Sequence, residues 1–134
     1  YESGGVVVAN RYTTSNAVHQ ASKLPDGERR AFLEWLFDLE YRRLGLPEPD
    51  LVLYLDMPTE AANQLMRRRE AETNTAADIH EQDGEYLRRC RACAGEIARA
   101  QGWAVVNCAE GGAPRTPEDI HREVASIVNE CLSR

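Results

Sequence analysis

A run of polar side chains directly after the first apolar segment offers many groups that could bind a small polar ligand. Residues 10–20 contain one arginine, three aliphatic hydroxyls, two asparagines, a histidine and a glutamine. The paired donors of arginine suit a phosphate, and carboxamides carry the donor and acceptor that suit the edge of a base. The run therefore predicts a ligand site, with a polar loop that caps a short helix as the alternative.

Three short apolar segments, residues 6–9, 51–55 and 103–106, predict the strands that would position such a site. They are continuous rather than alternating, which is typical of strands covered on both faces in a parallel sheet. Long segments with helical spacing lie between them, which indicates an α/β fold with right-handed crossovers. Ligands of such sheets bind beyond the carboxyl ends of the strands, where residues 10–20 follow the first strand.

Residues 26–44 predict a long helix with more apolar surface than packing on a sheet requires. Gly45 is expected to end it. Its two apolar rows are Phe32, Trp35, Leu36 and Leu39, and Leu33, Phe37, Tyr41 and Leu44. A second apolar face on a soluble chain usually meets a partner, unless another part of the same monomer covers it.

Three further helices are predicted from apolar spacing and from end signals. One begins at residues 58–60, and one covers about residues 81–100 with an apolar stripe. The last begins at Pro117, with Thr116 as its N-cap and Asp119 three residues later. The apolar stripe is formed by Leu87, Cys90, Ala94 and Ile97, and the inner face of the last helix by Ile120, Val124, Ile127, Val128 and Cys131.

Composition excludes several classes of protein. The 134 residues suffice for one domain, and 43% hydrophobic and 28% charged residues exclude a disordered tail, a collagen and a coiled coil. The longest apolar run, residues 51–55, is too short to span a membrane. Sixteen basic against 22 acidic residues, a net charge of −6, argue against a nucleic-acid partner.

The four cysteines, in a chain without a secretory signal, predict reduced thiols in the cytoplasm. Cys90 and Cys93 form one close-spaced couple, whereas zinc sites of this kind usually pair two such couples. We therefore expect no metal site made by the cysteines, and the three histidines lack metal-ligand spacing.

Taken in order, several motifs resemble thymidylate kinases. Residues 10–12, followed by Ser15-Asn16 and His19-Gln20, resemble the Asp-Arg-Tyr segment of that family. Residues 49–58 are similar to its Pro-Asp, strand, Leu-Asp, Pro pattern. Residues 67–69 and 78–81 resemble the arginines and the acidic end of its lid, which would cover about residues 67–81.

The resemblance implies a role for each matching residue of the polar run. Arg11 would hold the monophosphate of the acceptor nucleotide, and Ser15 and Asn16 would face the thymine ring. His19 would lie beside the deoxyribose, and Gln20 near the base or sugar. Asn10 stands where the family usually has Asp, so a metal-linked role at that position is not expected.

The resemblance also assigns catalytic roles to Arg67, Arg68 and Arg69. Phosphoryl transfer needs positive charge on the moving group, which lid arginines commonly supply. Residues 70–77 contain no basic residue, so these arginines or a basic residue elsewhere would act. A solvated helix end is the alternative, since arginines favour a helix C-terminus. Asp78 and Glu81 would be closure contacts or a helix cap.

The glycine-rich loop that cradles donor phosphates, Gly-x-x-x-x-Gly-Lys-Ser/Thr, does not occur in the sequence. In the resembling family it lies ahead of the Arg-Tyr segment. Since the chain starts at Tyr1, we expect residues 1–134 to be one partial domain, the C-terminal part of a three-layer parallel sheet of the P-loop nucleoside-monophosphate-kinase type. Alone it should be inactive.

The complete protein is expected to transfer the terminal phosphoryl of ATP, with Mg²⁺, to thymidine monophosphate, giving the diphosphate for dTTP synthesis. The alternatives are a kinase for another nucleotide or nucleoside on the same fold, and a non-catalytic nucleotide-binding or regulatory protein. The resemblance further implies a homodimer through the 26–44 helix, located in the cytoplasm, without nucleic-acid or membrane partners.

Overall fold

The computed structural model describes residues 4–73 and 84–133. The chain divides into two compact units, Tyr1–Pro47 and Glu48–Arg134. The prediction of a single partial domain over residues 1–134 stays a prediction.

The first unit is helical. Helix α1 spans Thr13–Ala21 and helix α2 spans Asp26–Phe37, and the two pack against each other. The buried side of α1 is the row Thr13, Ala17 and Ala21, spaced four residues apart on one face. Ala17 and Ala21 are fully buried, and their small side chains allow a close approach of the helices.

Helix α2 continues into a π-helical segment, Asp38–Arg43. The amide of Leu44 donates to the carbonyl of Leu39, five residues back, at 2.9 Å. Gly45 follows with a φ of 66°, in the left-handed conformation that the sequence predicts for the residue after a helix.

Exposure does not follow the two predicted rows of the 26–44 helix. Trp35 is 54% exposed and Leu44 63% exposed, although they belong to different rows, whereas Leu36 is buried. The helix over 26–44 is confirmed in extent, and its division into two apolar faces stays a prediction. From Asp38 on, the π-helical turns carry more than 3.6 residues each, which shifts Leu44 relative to the position that its row assumes.

The second unit contains a two-stranded parallel sheet. Strand β1, Leu53–Asp56, pairs with β2, Ala104–Asn107, in a register that joins Leu53 to Ala104 and Asp56 to Asn107. Helices α3, Thr59–Thr73, and α4, Gly84–Gln101, lie between the strands in sequence, and parallel strands require such a crossover. The α/β class is therefore confirmed.

The stripe predicted for α4 is confirmed where it matters for the core. Cys90, Ala94 and Ile97 are buried, together with Cys93 and Ala98. Helix α4 contacts both α3 and β1, so this stripe supplies the core of the second unit.

A hairpin and a last helix complete the second unit. Strands β3, Ala109–Glu110, and β4, Ala113–Pro114, are antiparallel and joined by two glycines with φ of 57° and 84°. Positive φ at both turn positions is what a tight hairpin demands. Helix α5 spans Pro117–Leu132, and its predicted inner face is only partly buried.

The predicted cap of α5 is confirmed. Thr116 Oγ1 accepts a hydrogen bond from the Asp119 amide at 3.2 Å and donates to the Asp119 carboxylate at 2.7 Å. The first bond satisfies one of the amide donors that the first helical turn leaves open, and the second holds the Thr116 hydroxyl in place.

The strand predicted at residues 6–9 is wrong for this chain. The structure assigns no strand there and leaves Val6, Val7 and Val8 exposed by 64, 70 and 91%. A strand exists only where a neighbour completes its hydrogen bonds, and in the part of the chain that the structure describes no segment pairs with these residues.

None of the described helices combines the length and the apolar character that crossing a bilayer requires.

Candidate functional site

Arg11 occupies an unusual backbone conformation just before α1. Its φ is 68°, and among the described residues it is the one non-glycine residue with positive φ. This left-handed region costs a residue with a Cβ about 1–2 kcal/mol. Residues held there cluster at functional sites, where the surrounding structure maintains the strain.

The Arg11 side chain lies beside the first turn of α1. Its Nε donates to Ser15 Oγ at 3.3 Å, and Ser15 is its one hydrogen-bond partner among the residues that the structure describes. The guanidinium is exposed. It therefore keeps the paired donors of its two Nη groups available to a ligand.

The N-terminus of α1 adds to the positive potential near Arg11. Tyr12 is the N-cap and makes no side-chain cap, and the first turn contains no acidic residue. The open amide groups of a helix start favour an anion. Arg11 and the start of α1 together can hold a phosphate.

The structure places the other predicted binding residues on one side of α1. Ser15 and His19 form one row at four-residue spacing, and Asn16 and Gln20 form the adjacent row. The first row is partly buried and the second, which flanks the buried row of the helix, is exposed. All five predicted binding residues therefore lie on α1 or just before it, while their roles remain predictions.

Three hydrogen bonds tie the start of α1 to the segment that follows α2. Asn16 Nδ2 donates to Glu40 Oε1 at 3.0 Å, and the hydroxyls of Thr13 and Tyr41 lie 2.7 Å apart. Tyr12 Oη donates to a backbone carbonyl, that of Pro47, at 3.1 Å. The polar run is thus held in place by groups 24 to 35 residues away in sequence.

Glu40 contacts the candidate site through Asn16, although the sequence analysis did not single it out. It is 6% exposed, and its Oε2 has no hydrogen-bond partner among the described residues. Its signal in the sequence is a carboxylate that follows Phe32 and Leu36 at four-residue spacing, in an otherwise apolar row.

Comparison with known proteins identifies the family of the chain. The family model of thymidylate kinase matches residues 1–124. The chain belongs to the thymidylate kinase family. A thymidylate kinase of Mycobacterium tuberculosis is 36% identical over 99 residues, which cover 73% of this chain and 46% of that protein.

Other members of the thymidylate kinase family match more of the chain at lower identity. A putative thymidylate kinase of Aeropyrum pernix is 32% identical, covering 95% of this chain and 56% of that protein. A thymidylate kinase of Thermomicrobium roseum is 30% identical, covering 99% and 58%. The chain spans about half the length of the curated relatives it matches.

The three arginines that resemble the family's lid lie on α3, in the second unit. Arg67, Arg68 and Arg69 are all exposed. Consecutive helical residues point about 100° apart, so the helix does not bring the three guanidinium groups to one point. The rest of the predicted lid, with Asp78 and Glu81, lies outside the described residues.

Asp56 belongs to the segment that resembles the family's Leu-Asp pattern. It is the last residue of β1, and a residue of helix α4 binds it. Arg91 of α4 donates from Nε to Oδ1 at 2.6 Å and from Nη2 to Oδ2 at 3.0 Å. Tyr54 Oη also donates to Oδ1, at 3.4 Å. Burial, followed by the charge of Asp56, raises the pKa of Tyr54 to about 12.

An open cleft of about 760 Å³ lies between the end of β2, the hairpin and α5. Arg115 bonds the Asn107 carbonyl at 2.6 Å and Glu123 at 2.7 Å, and Arg122 pairs with Asp119 at 3.2 Å. Acidic partners already neutralise both arginines, so the cleft does not fit the triphosphate of ATP.

The described residues also offer no fit for the metal that accompanies ATP. Within residues 4–73 and 84–133, no group of three or more histidine, cysteine or acidic side chains could hold a metal ion. Both oxygens of Asp56 are taken by Arg91, and position 10 carries an uncharged amide.

Proposed function

We propose that the complete protein, meaning this chain with any sequence that accompanies it in its gene, transfers the terminal phosphoryl group of ATP to thymidine monophosphate. Membership of the thymidylate kinase family supports the reaction. The observation that carries the acceptor site is the strained Arg11, whose φ is 68° beside an uncapped helix start.

In this proposal the residues of the α1 region bind the acceptor nucleotide. Arg11 and the first turn of α1 hold the monophosphate, because both present donors to an anion. Ser15 and Asn16 face the base. His19, one turn further along the helix, lies beside the deoxyribose, and Gln20 lies near the base or sugar.

The donor half of the site belongs, in this proposal, to sequence outside this chain. ATP and Mg²⁺ require the glycine-rich loop, which this sequence lacks. Strands β1 and β2 would be the fourth and fifth strands of the three-layer P-loop sheet. Arg67, Arg68 and Arg69 would supply charge to the moving phosphoryl group.

An activity assay on two proteins tests this proposal. The complete protein and residues 1–134 alone are each incubated with ATP, Mg²⁺ and thymidine monophosphate, and diphosphate formation is followed. We expect turnover by the complete protein and none by residues 1–134. Turnover by the chain alone would refute the donor assignment. Tight binding without turnover in the complete protein would instead support the non-catalytic alternative.

We also propose that the complete protein is a cytoplasmic homodimer that associates through the 26–44 helix. Two large apolar side chains on this helix, Trp35 and Leu44, are more than half exposed, and a two-fold interface would bury the same surface on both copies. Light scattering on Trp35→Glu combined with Leu44→Glu should show a folded monomer. An unmutated protein that is already monomeric at micromolar concentration would contradict the proposal.

A further inference from the structure

Glu40 uses only half of its hydrogen-bonding capacity. The carboxylate is 6% exposed, Oε1 accepts from Asn16 and Oε2 has no partner among the described residues. Burying an acceptor without a hydrogen-bond partner costs desolvation free energy. Selection for stability alone would replace such a side chain. The arrangement therefore calls for a role that only a carboxylate can fill at this position.

The chemistry of the contact fixes the orientation of the Asn16 amide. An ionised carboxylate accepts hydrogen bonds and donates none, so Asn16 must turn its NH₂ group toward Glu40. The carbonyl oxygen, Oδ1, then points to the other side. Since Glu40 is buried and Asn16 is exposed, this other side faces solvent. A neutral partner at position 40 would permit both orientations of the amide.

The backbone around Glu40 keeps this contact in register. The π-helical segment presents two consecutive residues to α1, with Glu40 bonded to Asn16 and Tyr41 to Thr13. Thr13 and Asn16 are three residues apart and share one side of the helix. Two adjacent hydrogen bonds thus restrain α1 against rotation about its axis.

We propose that Glu40 is a positioning residue that makes the site selective for a base with a ring N–H donor. Held by Glu40, Asn16 presents an acceptor oxygen, which can bind the N3–H of thymine or uracil. The N3 of cytosine is itself an acceptor and faces Oδ1 with no hydrogen between them. This inference rests on the proposed function, since it needs Asn16 to face the base of the acceptor nucleotide.

The test compares binding of thymidine monophosphate and deoxycytidine monophosphate to the complete protein by calorimetry. Glu40→Gln keeps the shape of the side chain but can donate as well as accept, so it releases the Asn16 amide. We expect the affinity ratio of the two nucleotides to fall about tenfold, the equivalent of one neutral hydrogen bond. Glu34→Gln is the matched control, because Glu34 lies on α2 and is 66% exposed; its ratio should not change.

A reversed pair separates positioning from a general loss of structure. Asn16→Asp alone places two carboxylates in contact and should weaken the binding of both nucleotides. Asn16→Asp combined with Glu40→Gln restores a donor and an acceptor and again leaves a carboxylate oxygen facing the base. The double variant should recover the unmutated ratio within about threefold, as coupled neighbours do in a double-mutant cycle.

The outcomes distinguish this inference from the function on which it rests. Binding of thymidine monophosphate with a ratio that Glu40→Gln leaves unchanged would overturn the inference and leave the function standing. Failure of the double variant to recover the ratio would also overturn the inference. If the unmutated complete protein binds neither nucleotide, the proposed function falls and the selectivity falls with it.

Discussion

Two carboxylates, Asp56 and Glu40, each bind a helix residue within their own unit, and they do so in opposite ways. Both oxygens of Asp56 accept hydrogen bonds from Arg91, although its side chain is 20% exposed. Glu40 is more deeply buried, yet one of its oxygens has no partner in the described part of the chain. Selection for stability alone would satisfy the deeper group first. Asp56 therefore acts as a structural tie between β1 and α4, whereas the proposed role of Glu40 is to orient Asn16.

The largest effect should come from removing the charge of Arg11. In the complete protein, Arg11→Ala should weaken thymidine monophosphate binding by about 2–4 kcal/mol, because the phosphate loses a charge-assisted pair. Arg30→Ala removes an exposed arginine of the same unit and should have no effect. An unchanged Michaelis constant and turnover in Arg11→Ala would refute the assigned role.

Arg11→Gly sharpens that result, since glycine adopts a φ of 68° without steric strain. Arg11→Gly should lose nucleotide binding as the alanine variant does. Its free energy of unfolding should nevertheless increase by up to about 1 kcal/mol. Lost function together with gained stability would show that the strain serves the site.

The tie at Asp56 predicts a loss of stability without a loss of selectivity. Arg91→Ala should lower the free energy of unfolding in urea by about 1–2 kcal/mol, because it leaves a partly buried carboxylate unpaired. The free energy of unfolding of Arg91→Lys should lie between those of the unmutated protein and Arg91→Ala, since an ammonium cannot reproduce the bidentate contact. The control Arg89→Ala removes an exposed pair with Glu85 and should cost less than about 0.5 kcal/mol.

The free energy of unfolding of Glu40→Gln in urea tests whether the two carboxylates differ in their contribution to stability. Because one Glu40 oxygen is unpartnered, neutralising the side chain should change the unfolding free energy by less than about 1 kcal/mol in either direction. A loss greater than that of Arg91→Ala would make Glu40 a structural tie as well.

A pH dependence is also predicted beside Asp56. The pKa of Tyr54 is raised to about 12 by burial and by Asp56, so the folded state keeps the phenolic proton longer than the unfolded chain, whose tyrosines titrate near the model value of 10.0. This contribution is fully present below pH 10 and is lost as the pH rises toward 12. In Tyr54→Phe, the unfolding free energy should fall less steeply across this window. Identical slopes for the two proteins would contradict the raised pKa.

Local signals in the sequence predicted the second unit well. The Thr116 cap and the buried stripe of α4 depend on residues within a few positions of each other, and the structure shows both. Residues 6–9 show the limit of such reasoning, because a β-branched run becomes a strand only with a partner. The residue types of the polar run predict a site, which stays a prediction, and the placement of these residues along α1 follows from helical spacing.

The partner of Asn16 could not be predicted, because Glu40 is 24 residues away in sequence and reaches α1 through a π-helical segment. Helical wheels assume 3.6 residues per turn, and the contact depends on a departure from that value. The positive φ of Arg11 likewise has no sequence signal, since arginine rarely adopts this conformation.

The π-helical segment also constrains how the gene can change in length. A π-helical turn closes over one residue more than an α-helical turn, so deletion of a single codon within Asp38–Arg43 would restore a regular α-helix. Every residue beyond the deletion would rotate by about 100° relative to α1. Descendants of this protein can exchange many side chains here, but the residue count from Leu36 to Gly45 should be inherited unchanged.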